Sequence, residues 1–164
     1  MHRDVKPANM VLSPDLRTLK LIDFGLSKSF PRPVNVAGAA RSRSRRHSSN
    51  VGTPRYTAPE VLECSMPGEH TGNIAAYTEK ADIFSAALVI WYLLAGRRPN
   101  GRSPLGPKAR PSAERARRRW PEMAAIVERM WAHEAHERPS AEECVGELEA
   151  LHVRAGLACG CSQQ

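Results

Sequence analysis

Long apolar runs are missing from this sequence. The longest, Ile83 to Ala95, is shorter than the ~20 residues a membrane-crossing helix needs, and no charged-then-apolar leader opens the chain. Aromatic residues are scarce, at 5%, and none is interleaved with the basic clusters, which argues against a platform for stacking nucleic-acid bases. Cysteine is sparse as well. Cys64, Cys144, Cys159 and Cys161 stand in no metal-ligand spacing, so neither a zinc module nor a disulfide scaffold is expected, and a reducing compartment, cytoplasm or nucleus, is the default. Acids are outnumbered: Asp and Glu total 17 against 24 Lys and Arg, a net charge of +7. The excess lies in Arg41, Arg43, Arg45 and Arg46 and in residues 97–119, where Glu114 is the one acid. Such a balance draws acidic partners, and without aromatic company it reads as a solvated loop and rim rather than a nucleic-acid surface.

What is present is concentrated at the start. His2, Arg3, Asp4, Val5, Lys6, Pro7, Ala8 and Asn9 are followed by Asp23, Phe24 and Gly25. Asp4 is an acceptor able to take the proton of an incoming hydroxyl. Asn9 and Asp23 offer hard oxygen ligands of the kind Mg²⁺ prefers. Lys6, two residues beyond Asp4, lies on the same side of an extended loop and supplies a point charge for a phosphate. Pro7 stiffens the segment. An acid, an amide and a second acid in this order are the groups that magnesium-assisted phosphoryl transfer needs. Between them, Met10–Leu12 and Leu19–Ile22 read as two short strands around a Ser13, Pro14, Asp15 turn, which would bring Asn9 and Asp23 to one end of a hairpin.

These motifs, with Gly52 to Glu60, an Asp82 opening an apolar helix and Arg138 in a Glu, Arg, Pro, Ser run, resemble the eukaryotic protein kinase family in order and spacing. The resemblance covers about Met1 to Leu151. It implies a mainly α C-terminal lobe with a short β-hairpin, a kinase domain over residues 1–152 and a short tail over 153–164. The family's Gly-rich phosphate loop, its strand lysine and that lysine's glutamate partner have no counterpart in the sequence, so the N-lobe is expected to be absent and Met1 to be an internal position. The implied roles are Asp4 as catalytic base, Lys6 as phosphate contact, and Asn9 and Asp23 as ligands of Mg²⁺ bound with ATP. Arg3 is the grip on a phosphorylated activation loop, Glu60 and Arg138 are an architectural ion pair, and Asp82 holds the catalytic-loop backbone. Lys6 together with Thr53 resembles the serine/threonine class, whose substrates are protein Ser and Thr hydroxyls, and the motifs look most like its tyrosine-kinase-like group. The competing expectation is an inactive lobe serving as a regulatory or binding module.

Further along, Ser29 to Asn50 has little periodicity and reads as an activation loop. Arg45, Arg46 and His47 lead into Ser48 and Ser49, a pattern that a basophilic upstream kinase would modify, and Thr53 is a further candidate phosphosite of the activation segment. Thr78 is expected to cap a helix from Glu79 to Ala95, ended by Gly96 and buried on every side. Ala86 and Ala87 stand where the family more often has Phe and Gly. Residues 97–119 read as irregular. Met123, Ile126, Val127, Met130 and Trp131 mark an amphipathic helix from Pro121, and Ser140 with Glu143 forms a capping box for a last helix with Cys144, Val145, Leu148 and Leu151 inward. His133 and His136 lack the spacing of a zinc-binding helix. Phosphorylation at Ser48 or Ser49 is expected to raise phosphoryl-transfer activity of a two-lobed form of the protein. Unchanged activity in a Ser48→Ala, Ser49→Ala double variant would rule this out.

Overall fold

The apolar stretch in the middle of the chain becomes its central post. The computed structural model describes residues 1–28, 55–63, 78–99 and 111–158. The described residues form a mainly helical body with one two-stranded antiparallel sheet, as expected. Strands β1 (Met10–Leu12) and β2 (Leu19–Leu21) come first, then helices α1 (Pro59–Glu63), α2 (Lys80–Ala95), α3 (Glu114–Arg119), α4 (Pro121–Met130) and α5 (Ala141–Ala158). Helix α2 packs on α3 and α4, and α4 packs on α3 and α5.

The expected hairpin is there, with Met10 opposite Leu21, Val11 opposite Lys20 and Leu12 opposite Leu19. Its turn is closed by the Ser13 N–H donating to the Thr18 carbonyl at 2.8 Å, while Leu16 takes a left-handed φ of 58°. Asp15 accepts the Arg17 N–H at 3.0 Å and the Ser13 hydroxyl, and these bonds hold its carboxyl below the usual carboxylate range.

Helix α2 starts at Lys80, one residue later than expected: Glu79 rather than Thr78 stands at its N-cap, without a side-chain cap bond, and Thr78 gives only a long 3.4 Å acceptor contact to the Lys80 N–H. Its end is sharp. Gly96 sits at φ 67°, a left-handed position that glycine takes without steric cost, and its N–H closes on the Tyr92 carbonyl at 2.9 Å. Phe84, Ala87, Leu88 and Trp91 are buried, with Ile126, Val127 and Met130 of α4 in the same core. The expectation of burial on every side fails near the C-terminus. Leu93 is 71% exposed, because the elements packed on α2 leave that side of its last turns uncovered.

Two further expectations are corrected. Residues 114–119 are helical rather than irregular: Glu114 lies in the first turn and Arg117, Arg118 and Arg119 in the last, the charge order that the helix dipole favours. Arg118 also pairs with Glu114 one turn away, and Arg117 reaches Glu128 of α4 at 2.6 Å. In α5 the inward stripe is Cys144, Leu148 and Leu151, whereas Val145 is 52% exposed. One residue is about 100° of helix rotation, enough to turn Val145 off the stripe. The capping box forms as expected, with the Ser140 N–H on Glu143 at 2.6 Å and the Glu143 N–H on the Ser140 hydroxyl at 3.1 Å. The Ser140 N–H, and after it the Ser140 hydroxyl, hold the Glu143 carboxyl below its usual range. Helix α5 continues to Ala158, beyond the expected domain end at 152.

Arg138 locks the helices together. Its side chain is fully buried and forms a bidentate pair with Glu60 of α1 at 2.7 and 2.8 Å. Its remaining N–H groups donate to the carbonyls of Lys80 (3.0 Å), Ala132 (2.9 Å) and His133 (3.0 Å), and its guanidinium lies 5.0 Å over the Phe84 ring. Every nitrogen that lost water has thereby found an oxygen, the condition under which a buried cation is tolerated. Glu60→Ala would strand that charge. The expected loss is about 3 kcal/mol, read from the urea midpoint of the variant against the parent chain.

Candidate active site

The segment from His2 to Asn9 has too few apolar residues to hold itself in place, and its shape comes from outside. Asp82, in the first turn of α2, accepts the His2 N–H at 2.6 Å on Oδ2 and the Arg3 N–H at 2.8 Å on Oδ1. Across this grip Arg3 adopts φ 73°, a conformation that a residue with a Cβ does not choose unaided. The strain turns the chain so that Asp4 points inward, 8% exposed. The expected backbone-holding position of Asp82 is thus visible as two hydrogen bonds.

Around Asp4 the expected neighbours assemble. Lys6 Nζ lies 2.6 Å from its Oδ2. Asn9, at the end of a short 3₁₀ turn (Pro7–Asn9), is buried and donates its side-chain N–H to the Asp4 carbonyl at 2.9 Å and to Oδ2 at 3.0 Å. A carboxylate so held keeps one fixed orientation. The amide nitrogen of Asn9 being engaged, its oxygen is the atom left to act as a ligand.

The hairpin delivers the second acid. The Ile22 N–H donates to the Asn9 carbonyl at 3.0 Å, extending the β1–β2 register by one pair, so Asp23 leaves the sheet at the same end where Asn9 enters it. Asp23 is exposed, takes φ 62° and accepts the Gly25 N–H at 3.3 Å. A Cβ on Gly25 would stand 3.2 Å from Asp23 Oδ1, tighter than most real contacts, so glycine is what lets the carboxylate fold back over its own turn. An exposed carboxylate and an amide oxygen at one hairpin end are a hard, sparse donor set. That fits Mg²⁺, which keeps several waters and takes further oxygens from phosphates.

Of the other expected residues, Arg3 is half-buried and donates from Nη1 to the Leu26 carbonyl at 3.3 Å, so its guanidinium faces the chain just after Gly25. Ser48, Ser49 and Thr53 lie outside the described residues. Glu60 and Arg138 are joined as described above, remote from Asp4 in role.

Two contributors were not singled out from sequence. His2 is buried. It accepts the Asp4 N–H on Nδ1 at 3.4 Å, stands with Nε2 3.1 Å from the Ile22 carbonyl and meets the Phe24 ring in a tilted contact, 59° between planes and 4.9 Å between centroids. A carbonyl only accepts, so Nε2 carries the proton and the imidazole ties the loop of Asp4 to the strand end before Asp23. Its adjacency to Arg3 and Asp4 was the available signal. Ser85 donates to the Tyr56 carbonyl at 2.7 Å, tying the loop before α1 to α2. No pattern in the sequence marks a buried serine inside an apolar helix as a tether.

Asp4, Lys6 and Asn9 thus meet in one cluster, and Asp23 leaves the hairpin at the end where Asn9 enters it. Residues 1–148 match the protein kinase domain, and the chain belongs to the protein kinase family. Its relatives include the serine/threonine-protein kinase STY46 of Arabidopsis thaliana, 28% identical over 95% of this chain and 24% of that protein. The probable serine/threonine-protein kinase drkC of Dictyostelium discoideum is 32% identical over 92% and 18%. The mitogen-activated protein kinase kinase kinase mom-4 of Caenorhabditis briggsae is 29% identical over 92% and 25%. The chain spans a quarter or less of the length of these curated relatives.

Asp82→Ala removes the acceptor of two backbone N–H groups. With hydrogen bonds to a charged group contributing about 1.5 to 3 kcal/mol each, the amides of His2 and Arg3 are expected to exchange with deuterium at least tenfold faster. Unchanged exchange would show that the loop holds its shape without Asp82.

Proposed function

We propose that this chain carries the catalytic lobe of a serine/threonine protein kinase, which moves the γ-phosphate of ATP to Ser or Thr hydroxyls of protein substrates. The observation that carries the reading is the state of Asp4: buried, paired with Lys6 and held by Asn9 at a loop that Asp82 pins. A carboxylate acting as general base must meet the substrate hydroxyl in one geometry, and this arrangement removes its freedom to do otherwise. In this reading Asp4 orients the hydroxyl and accepts its proton, and Lys6 balances charge on the phosphate in flight. Asn9 and Asp23 are the side chains that would hold Mg²⁺, which when bound neutralises the phosphate oxygens of ATP. Arg3, facing the segment after Gly25, is the expected partner of an activation-loop phosphate. The serine/threonine assignment rests on Lys6 with Thr53 and on the likeness to relatives named as serine/threonine-protein kinases.

The second reading, a regulatory or binding module, is favoured by one feature. Val11, Leu12, Leu19, Ile22 and Phe24, on and beside the hairpin, are between 43% and 63% exposed, an apolar surface of the kind that seeks a partner. Among the described residues no helix is long and apolar enough to cross a membrane.

Asp4→Asn keeps the shape and removes the base. In the protein at its natural length, turnover on a Ser/Thr substrate is expected to fall by ~10² to 10⁴ with little change in thermal midpoint. Retained turnover would refute the role of Asp4, and its absence from the parent protein as well would favour the binding module.

A further inference from the structure

Beside the catalytic loop lies an open cleft of about 420 Å³, within the ~300–1,000 Å³ range of ligand pockets. Its described lining is Lys6, Pro7, Ala8, Arg55, Tyr56, Tyr92 and Arg98. Three different parts of the chain meet there: the loop bearing Asp4, the segment leading into α1, and the end of α2 with the residues after it. The electrostatics are one-sided. Three of the described lining residues are cations and none is an acid. Lys6 is shared with Asp4, but among the described residues neither Arg55 nor Arg98 is in an ion pair.

Arg98 is exposed and Arg55 half-buried, so both guanidiniums can still be reached from solvent. Burial pushes the Tyr56 phenol above its usual range, and the charges of Arg55 and Arg98 act against that rise, which places both within electrostatic reach of one wall of the cleft. Guanidinium groups flanking a concave, tyrosine-walled site bind carboxylate or phosphate through paired N–H donors. Since Lys6 contributes both to this lining and to the Asp4 pair, a chain whose acceptor hydroxyl sits at Asp4 would lay its neighbouring side chains into the cleft.

We propose that this cleft reads acidic side chains, carboxylates or phosphates, flanking the acceptor hydroxyl of a protein substrate, with Arg55 and Arg98 as the residues that set the preference. The proposal rests on the kinase reading for the word substrate, while the recognition itself is a binding property. Arginine forks distinguish acidic from neutral peptides by charge and geometry together, and a basic peptide is repelled by the same groups.

The test is fluorescence anisotropy of the 164-residue chain with labelled peptides, each with a central serine. Their flanks are glutamate, phosphoserine, alanine or arginine. At low salt the glutamate or the phosphoserine peptide is expected to bind at least about tenfold more tightly than the alanine peptide, the larger of the two effects identifying the source of the anion. In an Arg55→Glu, Arg98→Glu variant the order is expected to reverse, the arginine peptide becoming the tighter ligand. Both positions reach solvent, and the reversal, unlike a loss, does not arise from misfolding. Equal binding of acidic and alanine peptides, no binding of any peptide, or an acidic preference that survives in the variant would overturn the proposal. So would a polyuridine oligonucleotide that binds more tightly than either acidic peptide. Incubating the same peptides and MgATP with the protein at its natural length separates the two readings. Acidic preference without phosphate transfer leaves the cleft assignment standing and removes the catalytic one, whereas transfer without preference does the reverse.

Discussion

The shape of the candidate site depends on one carboxylate that stands outside it. Asp82 accepts two consecutive backbone N–H groups, at 2.6 and 2.8 Å, from the loop that carries Asp4. Two donors from adjacent residues converge on one side chain only when the backbone between them is bent, and the bend appears as the left-handed φ of Arg3. Isolated, that conformation would relax. It persists because Asp82 stands on α2, the most deeply packed helix of the core, so the rigidity of the hydrophobic interior is passed to a polar loop at its edge. The geometry of the loop that carries Asp4 is here a consequence of core packing.

A second polar device serves the same end from the other side. Arg138 satisfies all its donors inside the protein, joining α1 through Glu60 to the start of α2 through the Lys80 carbonyl and to the turn before α5. The Lys80 ammonium returns the contact by donating to the Arg138 carbonyl at 2.6 Å. The result is that α1, which follows directly on Tyr56, and α2, which carries Asp82 and Ser85, move as one piece. The cleft lined by Lys6, Arg55, Tyr92 and Arg98 takes its walls from the loop of Asp4, the segment before α1 and the far end of α2.

Much of this was legible in the residues. The hairpin, the position of Gly96, the helix from Pro121 and the Ser140 to Glu143 cap follow from local rules, and each appears within a residue or so of its expected place. The pairing of Glu60 with Arg138 and the backbone role of Asp82 were legible through family resemblance, since nothing local announces a contact between residues so far apart in the chain. What failed were statements of burial. Leu93 and Val145 were expected inside because they are apolar, and they lie outside because the elements that cover their neighbours do not extend over them. Residues 114–119 looked irregular among prolines and arginines, yet the charge order along the helix and the burial of Ala113 and Ala116 suffice to form a short helix.

The sequence by itself determined which chemical groups exist and in what order, because residue identity carries hydrogen-bonding capacity, charge and local backbone preference without reference to anything distant. Only the tertiary structure decided which of those groups meet. His2 became a link between Asp4 and Ile22, Ser85 a tether for Tyr56, and Arg55 and Arg98 parts of one basic cleft. Those relations join segments separated along the chain, and they arise from the packing of α2 against its neighbours, which no short window of residues encodes.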